Sequence, residues 1–215
     1  MNNEIKKSLQ NRNSEIVELI QHLEKQEKNT YSSNPSFATE KAAVFLLLYN
    51  EIEGIVFLLF EFLFDNISIN VNCFSKLKNN LQNQYRKYND KLKIKKTEYE
   101  LLHLDFETYI RDVHIFSGNL DARLIRCLLK DWGIMENFHF ANEEKLKDIK
   151  DYRNSLAHGE RAFKEVGRNY SIQDINCFCV CVYEYLLKLE IIFSNFIEKR
   201  EYLNEKNLFC NCCTF

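Results

Sequence analysis

The sequence predicts an all-α protein, a helical bundle of about five to six helices in a single domain. Apolar residues recur at spacings of three, four and seven along much of the chain, the pattern of a buried helix face. Five glycines and one proline in 215 residues fall far below the roughly 12% of an average chain, whereas tight hairpins need such residues at their turns. Apolar residues at 46% and charged residues at 28% match a folded domain rather than a disordered chain. Glycine poverty also removes the usual nucleotide-binding loops, since neither GxGxxG nor GxxxxGK[ST] occurs.

A first helix is expected over residues 3–28, where Ile5, Leu9, Ile16, Leu19, Ile20 and Leu23 share one face between charges. Thr30 to Ser36 carries the sole proline among turn formers, so that helix stops there and a second begins near Phe37. The second helix, to about Asp65, is apolar around most of its circumference, as a central bundle helix is. Val44 to Phe64 has the length of a membrane span, but Asn50, Glu51, Glu53 and Glu61 interrupt it. Each acid at mid-bilayer would cost roughly 2.5–3.5 kcal/mol, so a core helix and no membrane is the better reading. Asn50, Glu51 and Glu53 either line a narrow wet face or form a buried polar cluster that supports a site.

From Asn72 to Lys96, Phe74, Leu77, Leu81, Tyr85 and Tyr88 continue the helical spacing, while eight Lys and Arg face one acid, Asp90. Such a run can follow a phosphate backbone, with Lys93, Lys95 and Lys96 on phosphates and Tyr85 and Tyr88 stacking on bases. A solvated helix face is the simpler alternative. Gly118 and Asn119 read as turn and N-cap of a helix bearing Leu124, Ile125, Leu128 and Leu129, with Asp121 suited to the helix dipole and Trp132-Gly133 as the stop. Residues 141–157 place Leu146, Ile149, Tyr152 and Leu156 on one stripe and run directly into His158-Gly159. Ser171-Ile-Gln-Asp174 has the form of a capping box, and opens a last helix to about Leu203. The organisation expected is an N-terminal helix and connection over 1–36, a bundle over 37–204 and a flexible Cys-rich tail over 205–215.

A net charge of −2 gives no global field for a polyanion, which would need a local basic patch. MNNEIKKSLQ lacks the apolar core of a secretory signal, so a reducing, cytoplasmic setting with free thiols is expected for the eight cysteines. Cys177, Cys179 and Cys181 alternate within a helix and suit core packing, while Cys210, Cys212 and Cys213 lack a nearby fourth ligand. His22, His103, His114 and His139 have no partner at metal-ligand spacing. HExxH and GxSxG are absent. No metal and no cofactor are expected.

Arg153 and His158 bracket four residues, and Asn154 lies one helical turn before His158. On an ideal helix Arg153 and His158 stand about 140° apart, so the helix must end or bend for both to reach one phosphate. Gly159 supplies that end. The bland alternative is a surface cation followed by a capping histidine.

Arg153-Asn154-x-x-x-His158 resembles the R-x(4–6)-H signature of the HEPN superfamily. With Leu48-Tyr-Asn-Glu-Ile-Glu53, Ser117-Gly-Asn-Leu-Asp-Ala-Arg123 and the stretch from Arg153 through Ser171-Ile-Gln-Asp174, it resembles the MAE-type HEPN subfamily of prokaryotic toxins over most of residues 40–190. The resemblance implies a HEPN-like bundle, a homodimer in which two Arg-His pairs face one cleft, and a metal-independent endoribonuclease acting on RNA. In that reading Arg153 holds the phosphate, His158 moves the proton and Asn154 orients one or the other, with Asn50 and Glu53 behind them. An antitoxin or a defence-system partner protein belongs to the same picture, as does a catalytically silent module for protein or nucleotide binding. Some HEPN toxins carry, two residues after the histidine, a tyrosine that a partner nucleotidyltransferase modifies; Glu160 stands there in this chain.

Overall fold

The proline expected to end the first helix instead begins the second. In the computed structural model, which describes residues 2–28, 35–93, 95, 97, 119–135 and 137–204, α1 covers Asn2–Lys28 and α2 covers Pro35–Asn70. Proline suits the first turn of a helix, where its missing N–H has no partner to lose. A 3-10 turn at Phe74–Lys76 follows, then α3 (Asn79–Leu92), α4 (Ala122–Asp131), α5 (Glu144–Ala157), α6 (Phe163–Arg168) and α7 (Ile172–Glu198). Among the described residues there is no strand, only an isolated bridge between Leu77 and Leu203. Lys96, His103, His114, Gly118 and the cysteines of the 205–215 tail lie outside the described residues.

The chain groups into two compact units. The first comprises residues 1–58, 118–122 and 139–190. Its core is made by one face of α1 (Leu9, Ile16 and Leu23), by Val44, Phe45, Leu48 and Ile52 of α2, and by Leu146 and Ile149 of α5. Length and composition would also let α2 cross a membrane; here Val44, Phe45, Leu48, Ile52 and Ile55 are fully buried inside the fold. Phe45, Tyr152, Tyr170 and Phe178 form an aromatic cluster with centroids 4.9–5.7 Å apart, and the Tyr152 and Tyr170 hydroxyls hydrogen-bond at 2.5 Å. Edge-on ring contacts of this kind are specific in geometry, so they set the rotation of α5 about its axis.

The second unit comprises residues 59–117, 123–138 and 191–215. Trp132, 1% exposed, is its centre and meets Phe60, Phe64 and Tyr85 at 6.0, 4.9 and 6.1 Å. Tyr85 and Tyr88 are buried, which removes them as stacking surfaces for bases. The helix expected over 72–96 is broken: Lys78 N–H bonds the Tyr202 carbonyl and Asn204 N–H bonds the Lys76 carbonyl, so the chain is extended there before α3 starts. Gly133 ends α4 as expected, with φ +68° and the Ile134→Leu129 and Gly133→Lys130 main-chain bonds of a Schellman turn.

The capping box is formed. Ser171 N–H bonds Asp174 Oδ2 at 2.9 Å and Asp174 N–H bonds Ser171 Oγ at 3.1 Å. Cys179 and Cys181 pack in the core as expected, whereas Cys177 is exposed.

Candidate functional site

Asn154 opens the last turn of α5, Arg153 directly precedes it, and His158 is the C-cap. The His158 N–H still bonds the Asn154 carbonyl at 2.9 Å, and its backbone stays helical at φ −88°, ψ −1°. The chain then reverses: Glu160 N–H bonds the Ser155 carbonyl at 2.9 Å, Gly159 N–H bonds the Leu156 carbonyl at 3.3 Å, and Gly159 has φ +71°. These are the paired bonds of a Schellman turn, whose left-handed residue is glycine because a Cβ is strained there. Nothing lies within 4 Å of where that Cβ would stand, so backbone conformation alone selects glycine. The His158 side chain is exposed.

Arg153 is held from two sides. Its guanidinium lies over the Tyr49 ring, 4.6 Å from the centroid, an attraction of order 0.5–2 kcal/mol. Its Nη1 donates to Asn154 Oδ1 at 2.9 Å. Asn154 in turn donates through Nδ2 to Asn119 Oδ1 at 3.2 Å. The Asn154 side chain thus serves Arg153, and its main chain serves His158.

Three consecutive residues anchor the segment opposite α5, each by a different tie. Asn119 accepts from Asn154, the buried Leu120 donates its N–H to the Tyr49 hydroxyl at 3.1 Å, and Asp121 Oδ2 accepts from Lys150 Nζ at 2.7 Å. Lys150 and Asp121 are both largely shielded from water, and the hydrogen bond to Asp121 raises the lysine's pKa. Lys150 lies one turn before Arg153 and Asn154, so one face of α5 makes the contacts to Asn119 and Asp121. Asp121 directly precedes α4, whose dipole it was expected to serve, and it also pairs with Lys150 of α5.

Glu53 reaches this network through Tyr49. Burial pushes the Tyr49 phenol above its ordinary range, the Leu120 N–H and Arg153 oppose that, and the charge and hydrogen bond of Glu53 add to it. The phenol therefore keeps its proton and donates to Glu53 while accepting from Leu120. Asn50 is exposed on α2. Lys93 and Lys95 are exposed and belong to the second unit. Asn154 also borders a polar cleft of about 460 Å³ lined by Asp148, Asp151, Glu160 and Arg161 among others. Arg153 and His158 are not among its lining residues, and its carboxylates outnumber its one cation, so a phosphate is better served at Arg153.

Sequence reasoning missed the roles of Tyr49, Asn119 and Lys150. The spacing of Tyr49 four residues before Glu53, and of Lys150 three before Arg153, was the available signal. It also left open Glu51, which is 2% exposed. Its Oε1 has no hydrogen-bond partner among the described residues, and burial pushes its carboxyl up to about 7 against the pull of Arg12. Among the described residues no group of three His, Cys, Asp or Glu side chains is placed to hold a metal ion.

The fold is an all-α one in which Tyr49 and Asn154 brace Arg153 near the end of the helix that His158 caps. The profile of the MAE_28990-like HEPN family matches residues 1–202. The chain belongs to this HEPN family, a group of nuclease-like, RNA-related helical modules. No curated protein and no solved structure matches the chain.

Proposed function

We propose that this protein is a metal-independent endoribonuclease of toxin or defence type, cytoplasmic and homodimeric, with Arg153, His158 and Asn154 as its site. The observation that carries the reading is the bracing of Arg153 by Tyr49 and Asn154 near the end of the helix whose C-cap is His158, in a chain of the HEPN family. A guanidinium fixed in this way offers two parallel N–H donors to a phosphate and favours the charge that builds on it in the transition state. Imidazole accepts or donates a proton near neutral pH. The ribose 2′-OH loses its proton and attacks phosphorus, the bond to the 5′-oxygen breaks, and that oxygen takes up a proton. The products are a 2′,3′-cyclic phosphate and a 5′-OH, and DNA, lacking the 2′-OH, is inert. In a homodimer two such pairs divide the acid and base roles. Glu53 supports Arg153 through Tyr49, Asn50 is available at the surface of α2, and Lys93, Lys95 and Lys96 contribute to RNA affinity.

The test is RNA cleavage in EDTA by wild type, Arg153→Ala and His158→Ala, with colony counts after induction of each in a bacterial host. Loss of cleavage and of killing in both variants, with the dimer intact, is expected. Equal cleavage by all three overturns the proposal. RNA binding without cleavage in any of them identifies a silent module, and cleavage that needs a co-purified protein identifies a subunit of a triggered defence complex.

A further inference from the structure

We propose that the cleft between α3 and the end of α4 seats the phosphodiester backbone of single-stranded RNA, a second contact surface that rests on the RNA substrate proposed above. The cleft has a volume of about 480 Å³ and is lined wholly by polar residues, with Arg86 and Lys87 from α3 and Lys130 from α4 as its cations. That volume falls in the usual range of small-molecule pockets, roughly 300–1,000 Å³, enough for a nucleotide.

Two features distinguish it from a solvated helix face. Its walls are tied together by side-chain amides: Asn80 Nδ2 donates to the Lys130 carbonyl and Gln84 Nε2 to the Asp131 carbonyl, both at 3.2 Å. The Lys130 carbonyl also accepts from the Gly133 N–H, while the bond from Gln84 satisfies a carbonyl at the helix end. Moreover, the cations come from two helices, and Arg86 lies over the Phe74 ring at 5.0 Å, a contact that restrains it. Three cations stand against two acids, Asp90 and Asp131, in the lining, a local excess of positive charge that suits a polyanion. Tyr85 and Tyr88 are buried, so base stacking has no platform here. The contact is therefore to phosphate, independent of sequence and sensitive to salt.

The probe is a fluorescein-labelled 2′-O-methyl oligouridylate, which has no free 2′-OH to attack, titrated with the full chain at several sodium chloride concentrations. Lys87→Glu/Lys130→Glu should weaken binding at least tenfold and make the slope of log K against log salt shallower by about 1.4, at about 0.7 per lost phosphate contact. Asp90→Asn, at an exposed position, should tighten binding. Wild-type affinity and slope in the double variant, or no binding by wild type, overturns the cleft. His158→Ala keeps the two readings apart. Cleavage lost in His158→Ala with unchanged probe binding in the double variant defeats the cleft alone, whereas binding lost in the double variant with no cleavage by wild type defeats the nuclease alone.

Discussion

The backbone of Gly167 lies directly against the main-chain carbonyl of Ala38. A Cβ on Gly167 would overlap the carbonyl oxygen and stand 2.7 Å from the carbonyl carbon, so α6 meets the first turns of α2 with no room for a side chain. Gly167→Ala forces the two helices apart at a cost of about 1–3 kcal/mol, which exceeds the ~1 kcal/mol by which alanine favours a helix. A lowered urea midpoint checks this, and a raised one shows that the contact yields freely.

The Tyr49 ring and hydroxyl have separable roles. Tyr49→Phe keeps the surface beneath Arg153 but leaves the buried Leu120 N–H without its acceptor, a loss of about 1–3 kcal/mol in stability. Tyr49→Leu also removes the ring, and with it the electrostatic seat of the guanidinium. RNA cleavage should therefore fall much further in Tyr49→Leu than in Tyr49→Phe when both are assayed well below their melting temperatures. Equal activities would mean that the ring does not position Arg153.

Glu51 makes stability fall as pH rises. Its ordinary value is 4.5 and in the folded chain it is pushed up to about 7 by burial, so between those values the folded state holds a proton that the unfolded state has released. Its contribution is most favourable below pH 4.5, declines through that window and stays low above about 7. At about 1.4 kcal/mol per pH unit the full decline is about 3 kcal/mol. Glu51→Gln removes it, so the variant should exceed wild type in stability at pH 8 and differ little at pH 5. Urea midpoints at both values measure this; parallel pH profiles would exclude Glu51 as the cause.

Local signals in the sequence marked the helix ends well. Gly133, Gly159 and the Ser171 to Asp174 box act within one turn, and each adopts the geometry its residue type favours. The end of α2 was less legible, because Asn66 and Asn70 return their side-chain amides to the carbonyls of Phe62 and Asn66 and carry the helix beyond Asp65. The break before α3 was hidden. Phe74 and Leu77 stay buried in the 3-10 turn and bridge, so the apolar spacing continues although the helix does not. The six residues of α6 are too few to show a period. At the site, Arg153, Asn154 and His158 could be picked out near one helix end, but the Tyr49 ring beneath Arg153 comes from α2 and the partner of the Asn154 amide from the 119–121 segment. Glu51 needed the same long-range knowledge: a glutamate in an apolar run has no mark of burial until Arg12, whose guanidinium stands 2.9 Å from where a Gly54 Cβ would be, is brought against that part of α2.

The position of His158 as a cap limits how it can move. Its N–H is held by Asn154 and the residues after it are tied back to Ser155 and Leu156, so the main chain there is clamped on both sides. The reach of the imidazole is then a matter of two torsions, χ1 and χ2, with χ1 confined to a few staggered wells. The ring is a tethered reagent that samples a short, countable set of places. In the nuclease proposed above, discrimination among substrates would rest on how each one brings its phosphate to those places.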